Sequence, residues 1–132
     1  MVLIIDSSGD NRLKIILARS GDNFKIKQIT IDNRATDQLL RELDVFLRQN
    51  GVKLGQLRGL AAVIGPGGFT NLRIGIAVAN ALAYARKLPI VGLTATEFNY
   101  DAELVNKTIS RLKRRKKFIP LLPAYGREPN IG

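Results

Sequence analysis

The chain has 132 residues, 45% of them hydrophobic and 24% charged, the balance of a globular domain with its own core rather than of a disordered segment. It contains no cysteine and no histidine, which excludes disulfides, zinc–thiolate sites and any general base or metal ligand built on imidazole. A net charge of +10 favours an anionic partner, RNA or an acidic protein surface.

That charge is uneven. Residues 1–100 carry 13 basic and 8 acidic side chains, and the last 32 carry 8 and 3, so the C-terminal segment holds the same excess on a third of the length. No apolar run approaches the roughly 20 residues that span a bilayer, and the start runs straight into a strand pattern without a charged leader. The expectation is a cytoplasmic protein without a membrane segment.

Val2–Ile5 is a continuous apolar run ending at Asp6-Ser7-Ser8-Gly9, which predicts a buried strand and a polar turn. Lys14–Ala18 and Phe24–Ile31 predict two further strands joined by Ser20-Gly21-Asp22-Asn23, completing an antiparallel meander. Imperfect alternation in the third predicts a bulge or an edge position near Lys27. From Thr36 to Asn50 the period becomes helical, with Leu39, Leu40, Leu43, Phe46 and Leu47 in one stripe, Thr36 as a candidate cap and Gly51 as the stop. Leu60–Ile64 predicts a parallel central strand. A long apolar helix over 72–85 follows, with Ile74, Ala77, Val78, Ala81 and Leu82 expected on its buried side. Leu88–Gly92 predicts the next strand, and Thr94 or Thr96 opens a short helix. Residues 102–117 predict a last helix with a strongly basic end, and 118–132, with three of the five prolines, an extended tail lying on the body.

The densest signal is the loop Gly65-Pro66-Gly67-Gly68-Phe69-Thr70 between a strand and a helix. Glycines there let the backbone turn and leave helix N–H groups facing out, so the loop is either an anion cradle or a turn that permits close packing. It lacks the GK[ST] of a P-loop. Arg73, in the first turn of that helix, opposes the helix dipole, which suggests a bound anion, a carboxylate or a subunit contact, with plain exposure as the alternative. Asp6, beside Ser7, is a candidate for nucleotide or Mg²⁺ contact, against the simpler reading of a capped turn; no second and third carboxylate stand at comparable positions. Arg111, Lys113, Arg114, Arg115, Lys116 and Lys117 put six positive charges in seven residues. They read either as a solvated helix end or as a contact to RNA phosphates, without aromatics for base stacking.

Residues 2–8 (VLIIDSS), 64–79 (IGPGGFTNLRIGIAVA) and 88–96 (LPIVGLTAT) resemble the bacterial TsaB family, also called YeaZ, whose hallmark is a GPGSFTGLRIG-like stretch. The tail 123–131 (PAYGREPNI) is similar to the family's C-terminal signature. Gly68 and Asn71 stand where the family motif has Ser and Gly, so a hydroxyl contact is lost. The resemblance implies an α/β fold of the actin-like ATPase or RNase H-like type, three antiparallel strands followed by parallel strands alternating with helices. It divides the chain into an N-terminal domain (1–100), a basic helix (101–117) and an extended tail (118–132), a reduced form lacking most of a second domain.

The implied function is that of an accessory subunit without catalysis of its own. It would support a TsaD-like catalytic paralogue and a TsaE-like ATPase in making N6-threonylcarbamoyladenosine at position 37 of tRNA. ATP with Mg²⁺ and threonylcarbamoyl-adenylate would then be used by the complex, and none of them, nor any other metal, held tightly by this chain. The family's homodimer and heterodimer faces, carried onto this sequence, fall on the helices at 36–50 and 70–86, with Leu39, Leu43, Phe46, Arg73, Ile76, Ala79 and Ala83 as interface residues. Two alternatives stay open: a small nucleotide-binding ATPase using Asp6, Ser7 and the glycine loop, and an RNA-binding module using 111–117.

Overall fold

The structure, a computed structural model, describes residues 1–31, 35–115 and 117–124. Its centre is a five-stranded sheet in the order β3-β2-β1-β4-β5, formed by β1 (Val2–Asp6), β2 (Arg12–Ser20), β3 (Asn23–Thr30), β4 (Gly59–Gly65) and β5 (Ile90–Thr94). The first three strands pair antiparallel, while β4 joins β1 and β5 joins β4 in parallel. This is the expected meander followed by parallel crossovers. The fold is of the actin-like, RNase H-like α/β type.

The run Val2–Ile5 is apolar throughout because β1 is central and covered on both faces. Leu3 and Ile5 enter one core with α1 (Ala35–Gln49) and α2 (Phe69–Arg86). Val2 and Ile4 enter a second core, closed by Leu104 and Val105 of α3 (Asp101–Arg114). One face of the sheet thus carries two helices and the other carries one.

Four local expectations are corrected. The register of β2 against β3 runs regularly past Lys27 and slips only between Ala18 and Ser20; β3 is the sheet edge, which explains its loose alternation. Helix α1 already starts at Ala35, so Thr36 lies inside its first turn and does not cap it. Helix α3 stops at Arg114, three residues short of the expected end. Helix α2 presents Leu72, Gly75, Ile76, Val78, Ala79 and Ala83 inward, whereas Ala77 and Ala81 face out and Ile74 and Leu82 are half-buried. That helix is apolar around most of its circumference, so periodicity cannot select its buried side. Thr94, not Thr96, organises the turn after β5: its N–H donates to Glu97 Oε2 at 2.7 Å.

Candidate functional site

The glycine loop joins the C-terminal end of β4 to α2 and lies against the turn that follows β1. Asp6 Oδ1 accepts bonds from Ser8 N–H at 3.0 Å and Ser8 Oγ at 2.6 Å, which closes that turn. A side chain at Gly67 would come within 2.7 Å of the Ser8 carbonyl oxygen, and one at Gly65 (φ +137°) would collide with the Ala124 carbonyl. One helical turn on, Gly75 lies directly over the Ser7 side chain, with no room for a Cβ between them. Ser7 Oγ is buried there and finds no hydrogen-bond partner among the described residues.

These contacts account for the glycines by close approach of chain to chain. Gly68 precedes α2 in extended conformation and its carbonyl accepts from Leu72 N–H at 3.0 Å; Pro66 and Thr70 are exposed on the rim, and Phe69 opens the helix. The residues do not fit a nucleotide–metal pair. Asp6 has turned its carboxylate to Ser8, Ser7 is covered by α2, and segment 118–124 occupies the far side of the loop. Among the described residues no group of three or more acidic side chains converges as a metal site.

The residues assigned to the partner face are mostly interior. Leu39, Leu43, Phe46, Ile76, Ala79 and Ala83 all belong to the core beneath α1 and α2, so they cannot be the outward contact; Arg73 alone of that set is exposed. The correction follows from the sheet, which claims the most apolar stripe of each helix. What remains outside is a groove of about 430 Å³ between the helices, walled by Leu40, Leu43, Leu47, Val52, Leu54 and Leu82 and rimmed by Asp44, Arg48 and Lys53. Leu40 is 48% exposed. It was visible in the sequence as one edge of an apolar stripe too wide for a single contact.

The basic run divides in two. Arg111 reaches back over the sheet edge, donating to the Gly92 carbonyl at 2.9 Å and to both carboxylate oxygens of Glu97, one of them at 3.2 Å. That guanidinium, with the Thr94 N–H, holds the Glu97 carboxyl down from an ordinary 4.5 to about 2, and Arg111 is raised in return. Arg111 is therefore a fixed brace, and its assignment as an RNA contact is corrected. Lys113, Arg114 and Lys117 are exposed and Arg115 is half-buried; Lys116 lies outside the described residues. Glu97, which the sequence reading set aside as remote from Asp6, is the partner that the spacing did not reveal.

Residue segment 118–124 crosses α2 and the ends of β4 and β5. Phe118 meets Tyr84 edge-on at 5.7 Å, and Ala124 N–H donates to the Ile64 carbonyl at 2.6 Å. The rest of the PAYGREPNI signature, residues 125–131, lies outside the described residues.

Fold, loop and helical face together define an actin-like α/β domain in which the glycine loop braces the second helix. The model of the TsaD family, tRNA N6-adenosine threonylcarbamoyltransferase, matches residues 28–110. The chain belongs to that family, and within it is a TsaB/YeaZ-like protein. It is 29% identical over 93 residues to the tRNA threonylcarbamoyladenosine biosynthesis protein TsaB of Haemophilus influenzae, covering 70% of this chain and 39% of that one. It is 38% identical over 68 residues to the tRNA N6-adenosine threonylcarbamoyltransferase of Geobacter metallireducens, covering 52% and 20%. YeaZ from Pseudomonas aeruginosa superposes with a TM-score of 0.64 at 28% identity, covering 70% of this chain and 43% of that structure. The chain thus spans less than half the length of each of these relatives. Among the described residues, no helix is long and apolar enough to cross a membrane.

Proposed function

We propose that this chain is a non-catalytic accessory subunit that docks a TsaD-like catalytic paralogue and supports formation of N6-threonylcarbamoyladenosine at position 37 of tRNA. The observation that carries the reading is the groove between α1 and α2, where Leu40, Leu54 and Leu82 form an apolar surface that the domain itself does not cover. Exposed Ala77 and Ala81 keep the adjoining strip of α2 low enough for a partner helix to approach. The contact is made by this outer strip and Arg73, while the buried stripe holds the helices to the sheet.

A TsaE-like ATPase, ATP with Mg²⁺ and threonylcarbamoyl-adenylate belong to the complex, which works in the cytoplasm; the chain alone holds none of these ligands tightly. The Asp6–Ser8 turn and the filled glycine loop speak against the reading as an independent ATPase. Alone, the chain pairs with itself through the same groove.

The test is size-exclusion chromatography with light scattering, on the chain alone and mixed with the TsaD-type protein of its own organism. A defined heteromer that is lost with Leu40→Glu is the expected result. If the proteins elute as separate species with the TsaE-type ATPase and nucleotide present, the reading fails.

A further inference from the structure

We propose that the groove between β5 and the end of α3 is a seat for the phosphate backbone of RNA, held by Lys113, Arg114, Arg115 and Lys117, with Arg111 as the brace that builds its wall. The groove is a depression of about 350 Å³ lined by Val91, Gly92, Arg111, Arg114 and Arg115. It lies beside β5, the last strand of the sheet.

Positive charge at a helix C-terminus is favourable without any ligand, and for Arg111 that explanation suffices. Its charge is matched by Glu97 and its remaining reach is used on the Gly92 carbonyl. The same explanation does not extend to the other four cations. They fall within five sequence positions, begin in the last turn of α3 and continue past its end, and none has an acidic partner among the described residues. Glu97 is the acid nearest to hand, and Arg111 has taken it. Arg115 is half-buried against the strand edge, so part of this repulsion is carried where water screens it less. A row of phosphates would relieve it, and the arginine fork suits phosphate oxygens.

The chemistry selects backbone over bases. No aromatic residue lies between 101 and 117, and Phe118, the first beyond, is turned onto Tyr84. Binding is therefore indifferent to sequence and strongly salt-dependent. An isolated small anion would meet only the arginine walls and leave Lys113 and Lys117 unused, whereas a polyanion tracks the whole row.

Choosing tRNA as the probe rests on the function proposed above. The groove between α1 and α2 takes no part in it, so heteromer formation and RNA binding fail separately. Fluorescence anisotropy with a labelled, unmodified tRNA transcript and the full chain alone, between about 50 and 200 mM salt, provides the test. Replacing the four residues together (Lys113→Gln, Arg114→Gln, Arg115→Gln, Lys117→Gln) should lower affinity at least about tenfold and reduce the salt slope by about 3, one contact per residue. Folding is checked by the melting curve, which these exposed changes should leave in place. Neutralising Arg12, Arg41, Arg58 and Lys87 removes the same charge elsewhere and should keep most of the slope. Equal losses in both variants would mean that net charge alone attracts RNA, and overturn the proposal. So would polyglutamate competing as well as tRNA, which would point to an acidic protein instead.

Discussion

Asn80 brackets the backbone of Leu121: its Nδ2 donates to the Leu121 carbonyl at 3.0 Å, and its Oδ1 accepts from the Leu121 N–H at 2.9 Å. One side chain on α2 thereby satisfies both backbone groups of an extended segment that no strand pairs at that residue. Asn80→Ala removes both bonds and should cost about 1–2 kcal/mol. Hydrogen exchange at Leu121 and Ala124 should rise far more than exchange within β1. Unchanged exchange at those two amides would show that apolar contacts of Phe118 and Leu121 suffice to hold the segment.

Gly75→Ala tests the bracing of α2. Helix propensity by itself favours alanine by about 1 kcal/mol, yet the added Cβ meets Ser7. Overpacking of that kind costs about 1–3 kcal/mol, so the variant should melt below the parent. Adding Ser7→Gly removes the obstacle and should restore most of the loss in a double-mutant cycle.

The helical face and the core beneath it separate by substitution. Leu40→Glu, on the 48% exposed side, should leave the melting temperature nearly in place while abolishing self-association or heteromer formation. Leu43→Ala, at 4% exposure, should instead cost about 2–5 kcal/mol in denaturant titration. A partner defect at Leu43 without a stability loss would contradict its place in the core.

Acid should loosen the end of α3. The Glu97 carboxyl is held at about 2 against an ordinary 4.5, so the unfolded chain binds the proton more readily, and stability falls as pH drops through that interval. Its contribution is complete above about pH 4.5. Because the pair is about a third exposed, solvent keeps the effect within about 1 kcal/mol. Glu97→Gln should flatten the pH dependence of the melting temperature between 4.5 and 2; an unchanged slope there would remove the pair from the acid response.

The sequence by itself determined the order of strands and helices, the central place of Val2–Ile5 and the strand–glycine loop–helix unit. Each of these is a local signal: an unbroken apolar run, a change of period, glycines at a junction. The motif alone also carried the family. Tertiary structure decided which face each helix turns to the sheet. The α1 stripe is wide enough to serve both core and groove, and α2 is apolar nearly all round. Local pattern therefore left Leu40 and Leu43 alike until the sheet claimed one of them. The same holds for the charges. Glu97 and Arg111 are fourteen residues apart, and only the packing of α3 across the end of β5 brings them together. That pairing makes one cation of the basic run a brace and leaves its neighbours open, because a carboxylate can neutralise only one guanidinium, and the fold chooses which.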